Sequence, residues 1–164
     1  MAGKGRTSLG GQTLEDVIRS ITLVGFVEVT PKERENARHD MFTEQSRLLV
    51  KNAPYTTMFG TPGRREYFIE SAEWSGELEC KFQNGGGSVD EKMVYISETL
   101  KRTSLERLAV VYGGQYWLKK KRGIAIIEWL KQEAVSISHQ YKKELLVLTL
   151  DDFIVWVART WKPR

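Results

Sequence analysis

Glu77-Leu78-Glu79-Cys80-Lys81-Phe82-Gln83 alternates strictly between polar and apolar residues. Side chains on a strand point to opposite faces with a period of two. The spacing predicts a β-strand with Leu78, Cys80 and Phe82 on one face and Glu77, Glu79, Lys81 and Gln83 on the other. Asn84-Gly85-Gly86-Gly87 ends the strand. Ser88-Val89-Asp90-Glu91 then reads as a Ser-x-x-Glu capping box. Val89, Met93, Ile96 and Leu100 mark one face of the helix that follows.

Working outward, Thr13-Leu14-Glu15-Asp16 reads as a helix start with Thr13 as N-cap and two acids in the first turn. Gly25 suits its end. Pro31 to Asp40 is polar, of mixed charge, and fits a loop or a short helix. Arg47 to Val50 is a short apolar strand, and Thr61-Pro62-Gly63 is turn chemistry. Glu66-Tyr67-Phe68-Ile69 is an aromatic-rich strand, placed antiparallel to the Glu79 strand across a hairpin. Leu105 to Tyr112 reads as a buried strand closed by Gly113-Gly114, Lys119 to Ala134 as a helix and Glu144 to Leu150 as a last strand. Asp151-Asp152 caps a C-terminal helix carrying Phe153, Trp156 and Val157. This order gives an α/β domain with a mixed sheet covered by helices.

Length and composition fit one domain. The chain has 164 residues, 41% of them hydrophobic and 28% charged, which excludes disordered and collagen-like chains. Residues 1–12 are Gly-rich and basic and read as a flexible basic tail ahead of a single domain over residues 13–164. Lys plus Arg number 25 against 21 Asp plus Glu, a net +4 that leans mildly toward a polyanionic partner. One cysteine leaves no internal disulfide and no Cys-rich zinc site. No apolar run approaches the about 20 residues of a membrane span, and the start of the chain has no secretory pattern. A cytoplasmic protein with no membrane association is expected.

The polar face of the Glu79 strand carries the chemistry. Two carboxylates from neighbouring strands, Glu66 and Glu79, suit a hard cation such as Mg²⁺, which takes oxygen ligands and keeps several waters. Such a cation polarises a phosphate oxygen and lowers the pKa of bound water. Lys81 projects on the same side as Glu79, where it can steer that water and offset charge on the phosphate. These are the parts needed to hydrolyse a phosphodiester. Asp90-Glu91-Lys92 offers a competing Asp-x-Lys, but in a helix its two ends diverge by about 200°.

Glu66 followed by Glu79-Cys80-Lys81 resembles the acid…(D/E)-x-K signature of the PD-(D/E)XK nuclease superfamily, and Gln83 extends it to E-x-K-x-Q. The element order is similar to that superfamily's restriction endonuclease-like αβββαβ core, over roughly residues 13 to 157. The resemblance implies an Mg²⁺-dependent DNA endonuclease, with Mn²⁺ as a substitute. Glu66, Glu79 and the Cys80 backbone carbonyl would be metal ligands, Lys81 would activate or position the attacking water, and Gln83 would orient Lys81 or the water. Glu15 falls where many members carry an extra acid and could be a further ligand. The family's first acid is usually Asp. Here Glu66 takes that place because it directly precedes the strand core, with Glu70 as the alternative. A catalytically inactive nucleic-acid-binding module of the same fold is the other reading that this substitution leaves open.

Candidate DNA contacts surround this strand. Arg64 and Arg65 lie beside the proposed site as phosphate contacts. Ser88 and Lys92 belong to the strand-to-helix passage, where the Gly-rich turn lacks the Gly-Lys-[Ser/Thr] ending of a P-loop. Lys119-Lys120-Lys121-Arg122 is a basic run at a helix start, where cations oppose the helix dipole and an external anion would offset the cost. A solvated face explains that run equally well. A chain of this size has room for one site, and a double-strand cut needs two, so a homodimer is expected. His39 and His139 show no ligand spacing.

Overall fold

The computed structural model describes residues 13–40 and 46–163. The tail expected over residues 1–12 lies outside the described residues. In chain order the elements are α1 (Leu14–Thr22), β1 (Val27–Val29), α2 (Pro31–Asp40), β2 (Leu48–Lys51), β3 (Pro54–Thr56), β4 (Pro62–Arg64), β5 (Tyr67–Glu70), β6 (Gly76–Phe82), α3 (Val89–Arg102), β7 (Arg107–Gly113), α4 (Gln115–Lys119), α5 (Lys121–Tyr141), β8 (Glu144–Thr149) and α6 (Leu150–Thr160). Six strands form one mixed sheet in the order β1-β2-β5-β6-β7-β8, and β3 and β4 form a separate hairpin. The β2-β5-β6 meander is antiparallel, and α3 then carries the chain across to β7, parallel to β6. This is the expected restriction endonuclease-like αβββαβ core, a mixed central sheet flanked by helices.

The period of two in β6 separates the two larger hydrophobic clusters among the described residues. Leu78 faces a core built with Val17, Ile21, Phe153, Val157 and Trp161 of the segments around α1 and α6, and Cys80 and Phe82 pack at its edge. The other face of the sheet, with Leu108, Val110 and Tyr112 of β7, packs against Met93, Ile96 and Leu100 of α3 and Ile127 and Leu130 of α5. Glu77, Glu79 and Lys81 are on this second face. They lie under α3 at the edge of an apolar layer, so their polar atoms need partners.

Several local expectations change. Thr13 caps α1 through a capping box with Asp16, as its sequence signature requires. Ser88 precedes α3 but makes no capping hydrogen bond, because its φ of −71° and ψ of 10° are not the extended conformation from which a capping side chain reaches back. Gly87, at φ +147°, sets this approach. Thr149, rather than Asp151, is the N-cap of α6, with Asp152 returning the second bond of the box. Pro31 to Asp40 is helical. The basic run is split: Lys119 ends α4, Lys120 is extended at ψ 131°, and Lys121 opens α5. Gly123 permits that tight junction, since a Cβ there would sit 2.0 Å from the Tyr116 carbonyl oxygen.

Candidate active site

The site forms where β5 stops and β6 continues. Tyr67 pairs with Leu78, the last β6 residue opposite β5, so beyond it the β5-side edge of β6 is open. Glu66, one residue before β5, fills this gap: its carboxylate accepts a hydrogen bond from the backbone N–H of Cys80 at 3.2 Å. On a strand, the N–H and C=O of one residue leave on the same edge. The Cys80 carbonyl is thereby directed to the edge that Glu66 occupies. Glu79 and Lys81 project from the α3 side of the same stretch and are hydrogen-bonded to each other as an ion pair.

Electrostatics bind these groups into one cluster. Burial pushes the Glu66 carboxyl above its usual range and Glu79 adds to this, while the Cys80 N–H and the Lys81 charge pull it down. Behind Glu79, Glu77 is almost fully buried and pairs with Arg65 at 2.7 Å. Burial, reinforced by the neighbouring Glu79 carboxylate, pushes Glu77 up to about 7 against the opposing pull of Arg65. Burial also pushes the Cys80 thiol well up, which makes it a packing group rather than a nucleophile.

The arrangement brings Glu66, Glu79, Cys80 and Lys81 together and leaves other expected residues outside. Gln83 donates to the Gly85 carbonyl at 2.8 Å, so it braces the Gly-rich turn instead of orienting Lys81. Glu15 is exposed on α1, whose core contacts lie on the opposite face of the sheet from Glu79 and Lys81. Glu70 is at the far end of β5 and pairs with Arg34, so the alternative first acid is remote from Cys80. Arg65 is not a free phosphate contact: its guanidinium is committed to Glu77 and lies 4.6 Å from the Tyr55 ring centroid. Arg64, Ser88 and Lys92 do line a cleft of about 490 Å³ together with Glu79 and Lys81. Lys119 to Arg122 are exposed beyond the end of β7, and Arg122 pairs with Asp90 at 2.5 Å. The β6 end is tied to this same corner, where Gln83 bonds Gly113 and Tyr116.

A model describing the PD-(D/E)XK nuclease superfamily domain matches residues 6–161. The chain belongs to the PD-(D/E)XK nuclease superfamily. No curated protein and no solved structure gives a match. Superfamily membership supports a nuclease-like function and, as a general trait of the superfamily, the use of divalent metal.

The residues present fit such a metal by the chemistry of their donors. Among the described residues no group of three or more His, Cys, Asp or Glu is arranged to hold an ion. A PD-(D/E)XK centre for Mg²⁺ does not require one, because Mg²⁺ is commonly held by one or two carboxylates, with water and substrate phosphate completing the shell. Glu66, Glu79 and the Cys80 carbonyl are all hard oxygen donors. Two features of the site are not legible in the sequence. Glu77 is visible as a polar residue in the alternation, yet no sequence signal ties it to Arg65. The β3–β4 hairpin, which brings Tyr55 and Arg64 to the cleft, is too short to show a strand period.

Proposed function

We propose that the protein is a divalent-metal-dependent DNA endonuclease that hydrolyses phosphodiester bonds. The observation that carries this reading is the Glu66 carboxylate on the Cys80 N–H, beside the Glu79–Lys81 pair on the open edge of β6. Glu66, Glu79 and the Cys80 carbonyl would hold the cation, Mg²⁺ or Mn²⁺ in its place. When bound, it would supply Lewis acidity to a phosphate oxygen and acidify a coordinated water.

The chain's own residues do the rest. With Glu79 serving as a metal ligand, the Lys81 ammonium, paired with Glu79 in this structure, would position the water and offset charge on the phosphate. Arg64 and Lys92 hold flanking phosphates in the cleft. α3, lying over Glu79 and Lys81, limits bulk water there. Lys119, Lys120 and Lys121 extend the phosphate track at the same end of the sheet. The test is incubation with plasmid, branched and single-stranded DNA in Mg²⁺, Mn²⁺, Ca²⁺ or EDTA. Cleavage is expected in Mg²⁺ and Mn²⁺ and absent in EDTA. Undiminished cleavage in EDTA would sink the metal mechanism, and no cleavage under any condition would favour the binding-module reading.

A further inference from the structure

We propose that the cleft beside Glu79 and Lys81 admits a single unpaired DNA strand, with one base stacked on Tyr95. The inference rests on the nuclease reading for its choice of DNA and deepens it by naming the substrate class. Three features of the cleft lead to it.

The first is access. The side chains of Glu79 and Lys81 are only 16% and 20% exposed. α3 forms one wall of the cleft through Lys92 and Tyr95, with Ser88 just before it, and the β3–β4 hairpin contributes Tyr55 and Arg64. A duplex is a rigid rod about 50 nm in persistence length. Its phosphates lie on a convex surface and do not follow a recess roofed by a helix. A single strand bends at every nucleotide and can enter it. The volume of about 490 Å³ suits a mononucleotide unit rather than a helical turn.

The second is the aromatic pair. Tyr95 remains 36% exposed and lines the cleft together with Tyr55. Tyr55 is itself fixed, with the Arg65 guanidinium 4.6 Å from its ring centroid. Opposite it, Gly63 leaves the space that the ring fills: a Cβ there would come within 2.6 Å of Tyr55 Cε1. A partly open tyrosine beside a phosphate site is a stacking platform for a base of any identity.

The third is charge. Arg64, Lys81 and Lys92 face Glu79 and Glu91 around the cleft, with Lys81 paired to Glu79 and Glu77 neutralised by Arg65. Phosphate attraction inside it is therefore modest, and base stacking adds what favours an unpaired strand.

The test is fluorescence anisotropy in EDTA with labelled oligothymidylate and with a blunt duplex of the same length. Tighter binding of the single strand is expected. Tyr95→Ala should weaken that binding roughly 5- to 150-fold and leave duplex binding unchanged. Tyr95→Phe keeps the ring and should retain the affinity. Circular dichroism of both variants checks the fold. Equal affinity for the duplex, or unchanged oligothymidylate binding by a folded Tyr95→Ala, would overturn the proposal. Cleavage in Mg²⁺ separates the two readings. Cutting duplex as readily as single strand overturns this inference and spares the nuclease. Tyr95-dependent oligothymidylate binding with no cleavage of any DNA overturns the nuclease reading and supports the cleft assignment.

Discussion

The backbone N–H of Cys80 donates to the carboxylate of Glu66 at 3.2 Å, across the gap left where β5 ends beside β6. A side chain thus completes a ladder that the neighbouring strand abandons, and it holds an acid against the strand that carries Glu79 and Lys81. The longer Glu in place of the usual Asp can span this gap.

That relationship separates two roles for Glu66. Glu66→Gln keeps an oxygen that can accept the Cys80 N–H but loses the charge a cation needs. Glu66→Ala loses both. Cleavage should fall at least about 100-fold in either variant, in line with removal of one preorganised electrostatic group. Only the alanine variant should lose stability as well, by about 1 kcal/mol for the hydrogen bond. Thermal melts beside cleavage rates check this, and a Gln variant of full activity would remove Glu66 from the metal site.

Arg65 and Glu77 make a second, structural prediction. Their side chains are 13% and 6% exposed, so each would be stranded without the other. Arg65→Ala should destabilise the fold by about 3–5 kcal/mol, as breaking buried pairs does. The Glu77 carboxyl is raised from 4.5 to about 7, so the folded state binds its proton more tightly than the unfolded chain does. Its contribution to stability is fully present below pH 4.5 and is lost as pH rises through about 7. Glu77→Gln should flatten the fall in unfolding free energy across that window, measured by denaturant titration at several pH values. An unchanged slope would assign the pH dependence elsewhere.

What the sequence disclosed follows from how local the signals are. The alternation through Glu77 to Gln83 decides which residues face α3, and a period of two survives any tertiary context. The Thr13 box lies within four residues and is legible for the same reason. Ser88 shows the limit. Its Ser-x-x-Glu pattern is intact, but the preceding Gly87 sets a backbone from which the hydroxyl does not cap. The commitment of Arg65 to Glu77 and of Glu70 to Arg34 joins residues 12 and 36 positions apart, and no sequence period carries such pairs. The alternation puts Gln83 in line with Lys81, and only the course of the Gly-rich turn diverts its side chain to Gly85.

The divided basic run yields a graded prediction. Lys119, Lys120 and Lys121 are exposed at the end of the sheet where β6 and β7 finish, whereas Arg122 is paired with Asp90. Reversing the three lysines to Glu should weaken DNA binding and reduce the log–log salt slope by about one for each phosphate no longer neutralised. Arg122→Glu should change the slope less and instead loosen the start of α3, where Asp90 also accepts from Tyr116 at 2.6 Å. Binding measured over a salt series checks both. A slope unaffected by the triple reversal would make the run a solvated face.

The Glu79–Lys81 ion pair supplies the prediction that divides catalysis from binding. The two side chains stand two residues apart on β6, on the face under α3, and are bonded to each other. If Lys81 acts on the water in the transition state, Lys81→Ala should lower the cleavage rate roughly 10²–10³-fold. DNA affinity should fall far less, because one phosphate contact among several is a small share of binding. Glu79→Ala should abolish cleavage and yet tighten DNA binding in EDTA, since a carboxylate facing the phosphate path is gone. Glu79→Gln should behave alike in cleavage while keeping a hydrogen-bond partner for Lys81, which separates the effect of the charge from that of the hydrogen bond. A binding module gives the opposite signature: no cleavage by the wild type, and Lys81→Ala acting on affinity alone. Single-turnover rates and anisotropy on the same preparations distinguish the two, and a wild type that cuts no faster than Lys81→Ala would move the active site off β6.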